Sequence, residues 1–230
     1  MLIKREELAS VIGRVGGDDL LSADISSEHM EVLKFLKKNL SDARDREDIF
    51  DFSIDAINRS GFEFSFIAVF REDRKYSSAV RIRVDSELVN RVEDYARKMM
   101  PNLTVMRYRI PIYEDGRIFK KFLLESKKPL VTDNIEISNK NDVISASLSD
   151  LFNNLISKDS PLVLLLPAFK RLVPYKYAMS TQILIDETVV GNIGVASIRE
   201  LTEGDLNLLM LISKMMSDAL GLIGFGRDYL

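Results

Sequence analysis

Residues 179–221 read MSTQILIDETVVGNIGVASIRELTEGDLNLLMLISKMMSDALG, and this stretch decides the fold. Apolar, β-branched runs lie on either side of Asp186-Glu187-Thr188. Runs of strand length around a short polar turn predict a β-hairpin. Gly191 and Gly194 fall inside the second run, where they permit close packing or a bulge. Thr202 then stands at an N-cap position, and a long helix is expected from about Glu203 onward. Asn207, Lys214, Ser217, Asp218 and Gly221 form a narrow polar stripe on it, and most of the remaining surface is Leu, Ile and Met. A helix resting on one sheet needs an apolar arc of only about 100°. The surplus needs a second partner, either the 28–40 segment of the same chain or another subunit. Homodimerisation is the preferred expectation, with Leu33, Leu209, Ile212, Met216 and Leu220 as contact residues.

Outward from the hairpin, the order of elements sets the fold class. Ser27 looks like the N-cap of a helix over 28–40, where Met30, Leu33, Leu36 and Leu40 recur at helical spacing. A second helix is expected through 45–60, ended by Gly61. FEFSFIAVF (62–70) has the aromatic and β-branched content of a buried strand. SSAVRIRV (77–84) alternates, with Val80, Ile82 and Val84 on one face and Arg81 and Arg83 on the other. A helix over 85–100 stops before Pro101. LTVMRYRIPIY (103–113) alternates again, setting Arg107 and Arg109 against Met106, Tyr108 and Ile110. Helices are expected over 115–128 and 143–157, with short strands at 130–133 and 162–166. Helices, strands, a helix-bearing middle, a hairpin and a closing helix imply an α+β fold: an antiparallel sheet with N- and C-terminal helices packed together on one face. Residues 1–27 read as an N-terminal extension and 28–230 as the domain.

Composition excludes several functions. The chain of 230 residues has no cysteine and one histidine. Disulfides, thiolate nucleophiles, Cys-ligated metals and thioether-linked chromophores are therefore excluded, as is any multi-histidine metal site. No cofactor, metal or catalytic residue is expected, and the chain is read as a non-enzyme. With 32 Lys plus Arg against 35 Asp plus Glu, the net charge is −3, so a nucleic-acid partner is not expected. The most apolar stretch, 206–226, holds Lys214 and Asp218 at its middle, each costing roughly 3 kcal/mol at a bilayer centre. No membrane partner is expected, and the chain is read as cytoplasmic.

The hairpin and last helix resemble the closing half of a GAF domain. The matching residues are Val189-Val190-Gly191 for the apolar "V-I-G" strand, then Thr202-Glu203-Gly204-Asp205-Leu206-Asn207-Leu208-Leu209 for the "T-x-x-D-L-x-L-L" helix start. Upstream, SKKPLVTDN (126–134) resembles the family's "gkPlvi-D" step, and the first two helices with FEFSFIAVF resemble its opening. The resemblance runs over about 28–225 and rests on the order of motifs. It implies a sensory or regulatory module that binds a small molecule or a protein, with a ligand pocket on the sheet face opposite the terminal helices. It also implies a dimer through those helices and a downstream signalling partner. Bilin-attaching and sulfoxide-reducing members use a cysteine that this chain lacks. Asn139-Lys140-Asn141-Asp142 only superficially echoes the cyclic-nucleotide pattern.

The Arg-x-Arg pairs are the sharpest local feature. If their strands are neighbours, Arg81, Arg83, Arg107 and Arg109 form one patch. On the pocket side it would bind phosphate or carboxylate groups bidentately. The alternative is a solvent-facing surface neutralised by nearby Asp and Glu. Phe119 and Asp133 complete the candidate ligand contacts for an unidentified small molecule, anionic if the arginine patch forms on the pocket side. The competing function is an interaction or dimerisation scaffold with no ligand. His29, at a helix start, reads as solvated.

Overall fold

The structure is a computed structural model and describes residues 26–70, 74–84, 109–113, 117–155 and 173–225, with single helical positions at 87, 90, 94, 98 and 167. Arg107, the strand at 162–166, and all but the last two residues of the 1–27 segment lie outside the described residues.

Helix α1 (Ser27–Leu40) opens at Ser26, one residue earlier than expected, where the side chain accepts from the His29 N–H at 3.1 Å. Helix α2 (Arg46–Arg59) opens at Asp45, whose carboxylate accepts from Glu47 N–H and Asp48 N–H. It closes before Gly61, which stands at φ 76°, a backbone state that glycine takes without strain. Strands β1 (Phe64–Phe70) and β2 (Tyr76–Val84) follow, with β3 (Arg109–Pro111) beside β2.

The middle departs from the sequence reading. In place of a helix over 115–128 there is a single turn, α3 (Ile118–Lys120), running into a π-helical turn at Lys121–Glu125. Strand β4 (Leu130–Thr132) pairs in parallel with β5 (Ile144–Ala146). Residues 144–146, expected as helix, are therefore strand. Helix α4 (Leu148–Leu155) begins only after Ser147, whose hydroxyl accepts from Asp150 N–H at 3.1 Å and donates to its carboxylate at 2.6 Å.

The hairpin is as expected: β6 (Tyr177–Ile185) and β7 (Thr188–Ser197) join through a two-residue turn. Asp186 and Glu187 sit at φ 46° and 65°, the doubly positive signature of a type I′ turn. Helix α5 (Glu203–Leu222) closes the fold behind a Thr202–Asp205 capping box.

The seven strands form one sheet in the order β3-β2-β1-β7-β6-β4-β5, antiparallel except for β4–β5. α1, α2 and α5 pack together with the inner sides of β1, β6 and β7 in one apolar core. The open face carries a second cluster, built from Phe70, Ile112, Phe119, Phe122, Leu123 and Leu130 with neighbours from β5 and β7. This is the α+β layering expected, with chain-end helices on one face and short covering elements on the other.

Two expectations fail for identifiable reasons. The residues assigned to a dimer contact are interior: Leu209, Ile212, Met216 and Leu220 are 0% exposed and Leu33 is 3%. α5 packs on β6 and against both α1 and α2, so its own chain covers its surplus apolar surface, which is the intramolecular alternative. The second failure concerns the arginines. Ile67 pairs with Arg81 but Ala68 pairs with Ala79, so Val80 is an extra residue in β2. Such a bulge breaks the two-residue period. Val80 packs into the helix-side core, and Arg81 and Arg83 beyond it also turn toward α2, whose carboxylates they meet.

Candidate functional site

The face opposite the terminal helices is organised around polar side chains in the middle of the hairpin strands. Ser180, Gln182 and Asn192 are buried among apolar neighbours. Buried polar groups must find partners. Asn192 Nδ2 donates to Ser180 Oγ at 3.0 Å, and Ser180 Oγ donates to the Ile193 carbonyl at 2.6 Å. Gln182 reaches across to the covering segment. Its Nε2 donates to the carbonyls of Phe122 at 2.8 Å, Ser126 at 3.2 Å and Lys128 at 2.8 Å. Two amide hydrogens shared among three carbonyls fix the end of the π-helical turn. Thr132 Oγ1 accepts from Ala178 N–H at 3.1 Å and joins β4 to the start of β6.

Two further contacts meet at the hairpin end, the first of them from the cover. Lys127 pairs with Glu187 in the hairpin turn, and this lowers the Glu187 pKa through the hydrogen bond first and the lysine charge second. Arg74 donates to the Val189 carbonyl at 3.3 Å. Between these groups lies an open cavity of about 290 Å³, lined by Arg74, residues 123–127 and residues 187–189. Arg117, 5% exposed, donates from Nη1 to the Asn153 carbonyl at 2.6 Å, while Asn154 Oδ1 accepts from Ile118 N–H at 2.8 Å. These bonds dock α4 on the start of α3. Among the described residues no group of His, Asp and Glu could hold a metal ion.

The structure separates the residues expected to line the site. Arg81 pairs with Asp51 at 2.5 Å and Glu47 at 2.9 Å, and Arg83 with Asp55 at 2.9 Å. They form a charged ladder along α2, so the surface neutralised by carboxylates is the observed arrangement, in place of an open-face patch. Arg109 occupies β3 opposite Ser78. Phe119 does reach the open-face cluster. Asp133 is exposed just past β4, with its N–H bonded to the Ala146 carbonyl at 2.9 Å. Gln182 and Asn192 carried a readable signal that the sequence reading passed over: an amide side chain inside a buried apolar strand needs a partner. His29 is corrected too. Its side chain is 14% exposed and its Nε2 lies 3.6 Å from Asp205 Oδ1 at the α1–α5 contact.

No family model and no curated protein matches the sequence. Solved structures do match its fold. The phycocyanobilin-bound GAF domain of a cyanobacterial phytochrome superposes with TM-score 0.55 at 11% identity, over 86% of this chain and 96% of that one. The fold is GAF-like. A GAF domain from an Acinetobacter phosphoenolpyruvate-protein phosphotransferase gives 0.52 at 10% identity, over 89% and 98% of the two chains. A far-red absorbing dark-state structure with bound biliverdin IXα gives 0.53 at 15% identity, over 84% and 99%. The GAF-like sheet carries its covering elements on the face where the sequence reading placed a pocket. Among the described residues no helix is long and apolar enough to cross a membrane.

Proposed function

We propose that this chain is a non-enzymatic regulatory module that binds a small molecule on the open face of its sheet and passes the bound state to a partner through α1 and α5. The observation that supports the reading most is the asymmetry of the two faces. Three helices pack over one face, whereas short elements cover the other and are anchored by the Gln182 amide and the Lys127–Glu187 pair. Short anchored segments open at lower cost than a packed helix layer. Two of the solved neighbours hold a bilin in the same fold. With no cysteine, a ligand here is held without a thioether.

The scaffold reading, with no ligand, is favoured by one observation: Phe70, Phe119 and Phe122 fill the open face beside the hairpin end. Native mass spectrometry of the purified full chain separates the two. A mass excess that disappears on denaturation, or a visible-absorbance change on adding biliverdin IXα as a probe, is the expected result. A bare polypeptide mass, together with no thermal shift from biliverdin, nucleotides or organic acids, would leave the scaffold.

A further inference from the structure

The cover on one face of the sheet and the last helix on the other meet at a single residue of the strand between them. The Gln182 side chain, 3% exposed, holds the carbonyls of Phe122, Ser126 and Lys128 on the open face. The carbonyl of the same residue accepts a hydrogen bond from Ser213 Oγ of α5 at 2.6 Å. Two residues further, the Leu184 N–H donates to Ser217 Oγ at 3.1 Å. Ser213 and Ser217 are one helical turn apart, so one side of α5 reads alternate groups along one edge of β6.

That edge is available because β4 pairs with β6 only at Met179 and Ser180. Among the described residues no strand pairs with this edge of β6 beyond Ser180, and the two serines of α5 bond the Gln182 carbonyl and the Leu184 N–H there. Backbone groups left without a partner would carry a desolvation cost, so this is a built contact between helix and strand. A second tether joins the same two parts. Lys128 donates from Nζ to the Asn141 carbonyl, and nearby Ser138 donates from N–H and Oγ to Glu203 Oε2 at 3.0 and 2.6 Å. Glu203 and Ser213 lie ten residues apart on α5, about 15 Å along a helix rising 1.5 Å per residue. The cover is thus fixed to the helix at two separated points, one through the sheet and one around its edge.

We propose that Gln182 is the positioning residue that couples the 122–128 cover to α5. A displacement of α5 along its axis carries the Gln182 peptide with it and shifts the amide that holds the π-helical turn. Opening the cover releases the same amide and loosens the strand edge on which Ser213 rests. The proposal rests on the ligand-binding reading for its purpose, but the geometry exists without any ligand. The test therefore adds none.

Hydrogen–deuterium exchange of the full chain compares the wild type with Ser213→Ala and Gln182→Met. Ser213→Ala is expected to speed exchange about tenfold at 122–128, across the sheet from the substitution, by removing one buried hydrogen bond. Gln182→Met is expected to do the same at 213–217. Amides of the β1–β7 pair should keep their rates. Unchanged exchange at 122–128 in Ser213→Ala overturns the coupling. If a variant loosens every segment together, native-state backbone chemical shifts of 122–128 decide. Their movement in Ser213→Ala supports the coupling and their constancy overturns it. A failed exchange test with a retained metabolite in native mass spectrometry would remove the coupling and leave the ligand site standing.

Discussion

Arg199 and Asp205 form a bidentate ion pair in which the carboxylate is 3% exposed and the guanidinium 41%. Nη2–Oδ1 is 2.9 Å and Nη1–Oδ2 is 3.2 Å. The same carboxylate accepts from Thr202 N–H at 2.8 Å and Thr202 Oγ1 at 3.0 Å, so it closes the capping box of α5 as well. The asymmetry sets the order of two substitutions. Asp205→Ala frees a guanidinium that can reach water and loses a helix cap, about 2 kcal/mol in all. Arg199→Ala leaves a buried carboxylate without its main counter-charge, about 3 kcal/mol or more. Urea unfolding should therefore rank Arg199→Ala as the more damaging of the two, although Arg199 is the more exposed residue. The reverse order would show that the cap, and not the buried charge, dominates this contact.

The same pair makes stability depend on acid. Burial alone pushes the Asp205 pKa up. It is outweighed by the His29 contact, the hydrogen bonds from Arg199 and Thr202 N–H, and the Arg199 charge, which leave the carboxyl well below the usual range. A folded-state pKa below the unfolded value means that the unfolded chain takes up the proton first. The contribution is complete above the unfolded value of about 3.9 and is lost as pH falls through the folded one. Thermal melts from pH 6 down to pH 2.5 should show a steeper loss in the wild type than in Asp205→Asn. Asp48, Glu187 and Glu203 are lowered as well, but they are common to both proteins and cancel in the difference. Parallel curves would remove Asp205 as the source.

Gly191 and Gly194 both lie on β7, yet they differ in what a methyl group would meet. A Cβ at Gly191 would stand 2.2 Å from the Ala68 carbonyl oxygen and 3.0 Å from Val69 Cα, both backbone atoms of the neighbouring strand. A Cβ at Gly194 would stand 2.4 Å from Cε1 of the Phe66 ring, which can turn aside. Gly191→Ala must part β1 from β7 and is expected to cost about 3 kcal/mol or to prevent folding. Gly194→Ala should cost about 1 kcal/mol. Differential scanning calorimetry of the two variants checks the order, and equal losses would count against a backbone contact at Gly191.

The features legible in the sequence were those set by neighbours along the chain. Thr202 and Asp205 make their cap within one turn, and the two-residue hairpin turn lies between runs of obvious strand character. The layer order followed from these elements. What stayed hidden was set by partners far away in sequence. The extra residue Val80 exists only relative to β1, so the alternation of SSAVRIRV could not reveal that Arg81 and Arg83 face α2. Ile144–Ala146 is strand because β4 lies beside it, while its own residues suit a helix equally well. Gln182 was different, since its amide in the run STQILI was a sign of buried bonding that needed no partner strand to be noticed.

α5 gives the last prediction, because its apolar surface was correctly sized and wrongly assigned. Met216 and Leu220 are 0% exposed within one chain, in the core shared with α1, α2 and the sheet. A residue at a dimer contact and a residue in a monomer core lose similar contacts on truncation, but the two differ in how the loss responds to concentration. For a dimer contact the unfolding midpoint moves with protein concentration by mass action, and truncation changes that dependence. For a core position the loss is a fixed cavity cost, about 2–5 kcal/mol for Leu or Met to Ala. Leu220→Ala and Met216→Ala are therefore expected to lower the urea midpoint equally at 1 and 100 µM. They should leave the sedimentation coefficient of the folded species unchanged. A midpoint difference that shrinks with rising concentration would return these side chains to an interface between subunits.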